Sequence, residues 1–331
     1  MSSVSLEAGP IQLPGQLGSE EDPFPFIIQC QTEGTTLERT EEWIKEEKQQ
    51  LLERSHVSGA ILFRGFPVKT AEDFDRFIAA FGLENFPYED SLSNAVRVNR
   101  TPRVFTANEA PSNIEIFLHH EMAQTPRYPA QLFFFCEKAA EQGGATPICR
   151  SDLLWSELEK ACPEFARNCV EHGLKYSNVM PDENDPESGM GRSWKSTLKA
   201  STRDEAEQRL RKLGYRWEWL ENGCLRATTP VLPAVHELSS GRRSFFNQLI
   251  AAFRGWKDAR NDPSKAIFFG DGQPLDPEAV QVALDLSSRF TFDIPWQTGD
   301  VALVDNLVAM HGRRTFSGTR KVLASLVSPN F

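Results

Sequence analysis

Two stretches near the start of the chain repeat apolar residues at helical spacing. Leu37, Trp43, Ile44, Leu51 and Leu52 lie on or near one stripe behind Thr35-x-x-Glu38, and this capping-box pattern predicts a helix reaching about Glu53. Phe74, Phe77, Ile78 and Phe81 repeat the spacing behind Thr70-x-x-Asp73 and read as core. Between them, Ala60 to Phe63 is a short apolar strand closed by Arg64-Gly65-Phe66-Pro67. From Arg103 on, short strand-like segments dominate: Val104 to Thr106, Gln131 to Cys136, Arg216 to Leu220, Cys224 to Ala227, Ser244 to Phe246, Val301 to Val304 and Val322 to Val327. Asn222-Gly223 is a hairpin signal between two of them. Helical patterns interrupt the series at Ser151 to Ala161, Pro163 to His172, Thr202 to Leu213 and Asp276 to about Ser288, the last opened by a capping aspartate and an N1 proline. Many short strands with helices to one side predict a mainly β chain with flanking helices (α+β), built as a β-sandwich or jelly roll.

Composition narrows this picture. The chain has 331 residues, 40% hydrophobic and 25% charged, enough material for a large core. Residues 1–22, rich in Gly, Pro, Ser and Glu, read as a flexible N-terminal tail or a strap over the surface, and 23–331 as a single domain. A net charge of -10 without any basic run excludes nucleic acid and anionic membranes as partners and leaves a small molecule in a pocket. The N-terminus has neither the basic nor the apolar region of a secretory signal, and no apolar run has the length of a membrane span. Six scattered cysteines without a Cys-x-x-Cys read as free thiols of a reducing compartment, so a cytoplasmic location is expected.

The densest chemistry lies in Phe117-Leu118-His119-His120-Glu121-Met122-Ala123-Gln124. In an extended segment, residues two apart point to the same side, so His119 and Glu121 converge while His120 turns away. A third donor, His311, follows the apolar run Val301 to Val304. Two histidines and a carboxylate on one face of a metal, with open positions opposite, is the arrangement of non-heme Fe(II) oxygenases. The pair alone also fits a polar strand edge. His56, His172 and His236 read as ordinary core or surface histidines, His172 at a helix C-terminus. The His-Glu-x-x-His pattern of zinc hydrolases is absent.

Further motifs stand in order around these. Gly143-Gly144-Ala145-Thr146-Pro147 follows the His-x-Glu segment, and Gly299-Asp300-Val301, Asp305-Asn306, His311-Gly312-Arg313 and Phe316-Ser317-Gly318-Thr319-Arg320 close the chain. With these motifs the chain resembles the TauD/TfdA superfamily of Fe(II)- and 2-oxoglutarate-dependent oxygenases, from about Val57 to Leu326. Its His-x-Glu, where taurine dioxygenase has His-x-Asp, is similar to the clavaminate synthase-like branch. The resemblance implies a double-stranded β-helix (jelly-roll, cupin-like) core, iron ligands His119, Glu121 and His311, and a co-substrate, 2-oxoglutarate, whose distal carboxylate meets Arg320 and the Thr146 hydroxyl. A guanidinium suits that task because it grips carboxylates bidentately. Alone, Arg320 reads equally as a solvated cation at a strand end and Thr146 as a turn residue; together and in this order they do not.

The resemblance further implies O2-dependent oxidation of a C–H of a small carboxylate- or amino-acid-like metabolite, with release of succinate and CO2. Hydroxylation is the expected outcome, with desaturation or cyclisation as variants. The alternative is a metal-binding cupin-like module without turnover. Halogenation is disfavoured because Glu121 fills the ligand position a halide needs. The chain departs from many relatives at Ala324, where they carry a second arginine, so the anion that arginine serves is met by another group such as Arg313 or by none. Segments expected near the mouth of the barrel hold Asn108, Arg192, Lys195 and Asn247 as substrate candidates beside Arg313. Arg192 and Lys195 read as attractors of an anionic substrate or as a solvated loop, and Asn247 as a ligand contact or a structural hydrogen-bonding residue.

Overall fold

Two sheets face each other across the middle of the molecule in the computed structural model, which describes residues 6–19, 21–88, 92–93, 97–107, 110–188, 190–239, 241–255, 260 and 263–330. The larger sheet has seven strands, in the order Ala8–Pro10, Phe26–Cys30, Ala60–Arg64, Val301–Asp305, Pro129–Lys138, Lys321–Pro329 and Phe105–Thr106. The smaller has four: Thr291–Ile294, Thr146–Arg150, Ala309–Arg313 and Ile116–His119. All neighbours are antiparallel except Phe26–Cys30 with Ala60–Arg64. This is the jelly roll that the strand pattern predicts.

Continuous apolar runs arise where a strand is covered on both faces. In Val301–Asp305, Ala302 and Val304 face inward and join Leu132, Phe134, Ile148, Phe292 and Ile294 in the core between the sheets. Val301 and Leu303 face outward with Phe133 and Phe135, and meet Ile44, Phe74, Phe77 and Ile78 of the helices Leu37–Ser58 and Ala71–Ala80. The outer side of the smaller sheet, including Cys149 and Met310, is covered by Trp155, Leu158, Val280 and Ala283 of the helices Ser151–Ala161 and Pro277–Arg289. A separate four-stranded sheet (Arg216–Trp219, Leu225–Thr228, Leu174–Met180, Ile267–Phe269) packs the helices Trp194–Leu198 and Arg203–Lys212. Asn222 and Gly223, both at positive φ (64° and 72°), turn its first hairpin.

The start of the chain carries short paired strands. Ala8–Pro10 pairs antiparallel with Phe26–Cys30, and Leu17–Gly18 with Pro23–Phe24. An edge strand leaves backbone donors and acceptors without partners, and this strap supplies them. The first helix also shifts. Its cap is Thr36, whose side chain accepts from the Arg39 N–H, because the Thr35 hydroxyl donates instead to the Thr32 carbonyl at 2.7 Å. The helix runs past Glu53 to Ser58 and stops at Gly59, whose φ of 83° suits glycine. The six cysteines are free, and no helix among the described residues is long and apolar enough to cross a membrane.

Candidate metal centre

The site forms where the chain changes sheets. Val301–Asp305 belongs to the large sheet and Ala309–Arg313 to the small one, so the corner 305–308 delivers His311 to the cleft between them. His311 lies opposite His119 in the strand pairing, and directly opposed residues share a face. Their ring centroids are 4.3 Å apart.

The strand ends at His119, so alternation does not carry Glu121 into place as the sequence pattern implies. Glu121 opens a turn in which Met122 has a φ of 60°. Asn306, fully buried at the corner, holds that turn. Its amide oxygen accepts from the Glu121 N–H at 2.7 Å, and its amide nitrogen donates to the carbonyls of Glu121 (3.0 Å) and Pro129 (2.7 Å). His120 points away, as expected, with Nδ1 bonded to the Asn306 carbonyl and its ring against Phe246.

The donor atoms of His119, Glu121 and His311 all lie within 4.8 Å of one another. Glu121 Oε2 is 3.6 Å from His311 Nε2. His119 Nδ1 bonds the Phe117 carbonyl at 2.7 Å, which fixes the ring and leaves Nε2 to face the cleft. Burial, reinforced by His311, pushes His119 down to about 4, so it is the neutral imidazole a metal requires. Burial opposes ionisation of Glu121, but Arg97 and the two imidazoles outweigh it, and the carboxyl lies below its usual range. Two imidazoles and one anionic carboxylate, convergent in the cleft, fit a divalent cation.

Beside this cluster the pocket wall includes Thr146, Arg313 and Arg320. Arg320 donates through Nε to the Gly144 carbonyl (2.8 Å) and through Nη2 to Thr146 Oγ1 (3.2 Å). The Thr146 hydroxyl also accepts from Trp296 Nε1 at 2.9 Å. Among the described residues, no carboxylate stands within ion-pair distance of Arg320. Burial, and then Arg313, bring it down to about 10, so it remains a cation at neutral pH. A half-buried, partly desolvated cation without a counter-ion is costly, and an anionic ligand relieves that cost. Gly144 makes room for it: with φ of 70°, an added Cβ would come within 3.0 Å of Arg320 Cδ.

The family model described as "Taurine catabolism dioxygenase TauD, TfdA family" matches residues 22–326. The chain belongs to this family. A clavaminate synthase-like protein from Arabidopsis thaliana is 41% identical over 332 residues, covering 98% of this chain and 99% of that protein. The solved structure of PvcB from Pseudomonas aeruginosa has a TM-score of 0.55 at 15% identity and covers 99% of this chain and 92% of that one. A second structure of PvcB describes it as an Fe, alpha-ketoglutarate dependent oxygenase from an isonitrile synthetic pathway. A taurine dioxygenase from Burkholderia xenovorans has a TM-score of 0.54 at 15% identity and covers 98% of this chain and 91% of its own. At such identities the structural likeness shows the shared fold.

Within this TauD/TfdA chain the substrate candidates part company. Asn108 lies outside the described residues. Lys195 forms ion pairs with Asp182 (3.0 Å) and Glu183 (2.8 Å) at the surface and does not line the pocket. Arg192 is buried, but its guanidinium bonds the Ser93 carbonyl and Ser196 at 3.1–3.2 Å. Asn247 bonds the Ala234 carbonyl and accepts from the Leu249 N–H, at the start of the helix Leu249–Gly255. Its neighbour Gln248 donates to the His120 carbonyl at 3.1 Å, so this segment braces the ligand-bearing turn. Arg313 does line the pocket, yet it also donates to the carbonyls of Ala110, Pro111 and Ile114, pinning that loop.

Three residues had no role in the sequence reading. Asn306 was visible within a motif, and a buried asparagine at a sheet-to-sheet corner is the signal that identifies it. Trp296 closes over Thr146. Arg97, between predicted elements, carried no signal: its Nη2 reaches Glu121 Oε2 at 3.3 Å.

Proposed function

We propose that this chain is an Fe(II)- and 2-oxoglutarate-dependent dioxygenase that oxidises a C–H of a small carboxylate- or amino-acid-like metabolite. The carrying observation is the convergence of His119, Glu121 and His311 within 4.8 Å, beside a half-buried Arg320 that has no carboxylate partner among the described residues. Its membership of the TauD/TfdA family supports the reading, as does the name of its Arabidopsis relative.

His119, Glu121 and His311 would hold the iron. When bound, the iron and 2-oxoglutarate together supply activation of O2, with succinate and CO2 as the co-products. Arg320 and Thr146 would take the distal carboxylate of 2-oxoglutarate, orienting it toward the metal ligands. Phe134 and Val322 in the pocket wall limit water near the reacting C–H. Glu121, a full carboxylate, fills the ligand position that a halide would need, so the product carries oxygen or unsaturation.

Succinate release from 2-oxoglutarate with Fe(II) and ascorbate tests the class, and mass spectrometry over amino-acid and organic-acid libraries tests the substrate. A gain of one oxygen or a loss of two hydrogens is expected. A chlorinated product, or activity only on a polymer, contradicts the reading.

A further inference from the structure

Arg97 is the least explained charge in the cleft. It lines the pocket with only 7% of its side chain exposed, and Glu121, at 3.3 Å, is its one carboxylate partner among the described residues. The contact is a single bond from Nη2, short of the two-pronged grip a guanidinium gives a well-placed carboxylate. Arg97 Nε is buried and has no hydrogen-bond partner among the described residues. The rest of the group is well fixed: its guanidinium stacks on Tyr88 at 4.9 Å and on Phe105 at 5.4 Å. Tyr88 also hydrogen-bonds the group, so the plane of the guanidinium is set while Nε, on its edge, keeps an unused donor that can recognise an anion.

The electrostatics then depend on what Glu121 does. While no metal is bound, its charge serves Arg97. A divalent cation held by His119, Glu121 and His311 draws on the same carboxylate and adds positive charge beside Arg97. A buried cation in that position calls for a new anion. Arg320 does not offer an alternative reception, since it is anchored elsewhere, on Gly144 and Thr146. Nor does the neighbouring strand: Val322 lines the pocket, and Ala324, two residues on and on the same face, carries no charge. Arg97 stands over Phe105, the cross-strand partner of Ala324. The pocket thus has three separately anchored guanidiniums: Arg320, matched above to the co-substrate, Arg313, whose donors go to the carbonyls of Ala110, Pro111 and Ile114, and Arg97, whose Nε has no partner among the described residues.

We propose that Arg97 is the specificity-determining residue of the site: metal binding releases it from Glu121, and it then receives the carboxylate of the molecule to be oxidised. The proposal rests on the function proposed above and adds to it the residue that selects the substrate.

The test uses full-length protein under anaerobic conditions, loaded with Fe(II) and 2-oxoglutarate, whose visible absorption reports occupancy of the centre without turnover. The probes are the standard L-amino acids and straight-chain short carboxylic acids, each beside its primary amide. In the wild type, at least one acid perturbs the absorption at concentrations where its amide does not. In Arg97→Gln the affinity for that acid falls at least about tenfold, while 2-oxoglutarate affinity stays within about twofold of wild type. Arg97→Lys keeps the buried charge but loses the planar fork, and its affinity for the acid falls less than in Arg97→Gln. It guards against a folding defect being read as lost recognition. Acids and amides that bind alike, an absence of any acid that binds, or wild-type acid affinity in Arg97→Gln overturn the proposal. A selective loss of 2-oxoglutarate affinity in Arg97→Gln also overturns it, giving Arg97 to the co-substrate. If wild-type protein with Fe(II) develops no 2-oxoglutarate-dependent absorption, the proposed function itself fails and takes this inference with it.

Discussion

His119→Ala or His311→Ala leaves two donors where three converge, and both variants are expected to lose Fe(II) binding and turnover while keeping the folded circular-dichroism spectrum. His120→Ala should do the opposite. His120 is fully buried against Phe246 and bonded to the Asn306 carbonyl, so its loss costs stability, about 1–3 kcal/mol, and leaves iron stoichiometry intact. A dead His120→Ala enzyme beside an active His119→Ala one would reassign the ligand. On the proposed reading Arg320→Ala would remove charge-assisted bonds to the co-substrate, for which about 1.5–3 kcal/mol is typical. The KM for 2-oxoglutarate should therefore rise by about one to two decades, with iron affinity nearly unchanged. Thr146→Ala should act in the same direction and less, since its hydroxyl supports Arg320 and, on the proposed reading, would meet the same carboxylate. Steady-state kinetics against iron titrations separate the two effects. Unaltered 2-oxoglutarate saturation in Arg320→Ala would move the role to another arginine.

At the scale of elements, the corner 305–308 and the glycine turn before Thr146 decide the geometry. Asn306→Ala leaves the Glu121 N–H and the carbonyls of Glu121 and Pro129 without their partner in a buried place. A loss of about 3 kcal/mol in urea unfolding is expected, with iron affinity down tenfold or more, on the order seen when groups supporting metal ligands are removed. Gly144→Ala forces a Cβ into the left-handed region and to within 3.0 Å of Arg320 Cδ. It should cost about 1–2 kcal/mol and raise the KM for 2-oxoglutarate without touching iron affinity. The sequence marked both places, as Asp305-Asn306 and Gly143-Gly144, because a tight turn and a buried corner demand particular residue types. It did not mark the strand Leu174–Met180 or the helix Leu249–Gly255, whose burial follows from what packs on them. Nor could it mark the early end of the strand at His119, since Asn306, 185 residues away, holds the turn that follows.

Across the whole molecule, His56 ties the end of the first helix to the corner. Its Nδ1 lies 3.0 Å from Asp305 and its Nε2 3.1 Å from Ser239. The bond to Asp305 raises its pKa against the opposing effect of burial. A raised folded-state pKa means that this contribution to stability is fully present below the unfolded value, about 6.5, and fades as pH rises through the folded one. The stability advantage of wild type over His56→Ala should therefore shrink as pH rises above the unfolded value of about 6.5, as read by denaturant midpoints. An advantage that stays constant as pH rises through and beyond that value would contradict the linkage. The sequence by itself determined the class of the fold, since runs such as Val301 to Val304 are apolar on both faces only where a strand is covered on both sides. It also determined the residue types of the centre, because a buried metal and a carboxylate co-substrate leave few choices of side chain. Only the tertiary structure decided which cations belong to the cleft. Lys195 and Arg97 are both basic residues between predicted elements, yet one ends in a surface ion pair and the other on two aromatic faces beside Glu121. The difference lies in long-range packing, which brings Tyr88, Phe105 and Glu121 around Arg97, and no local pattern of hydrophobic and polar residues encodes it.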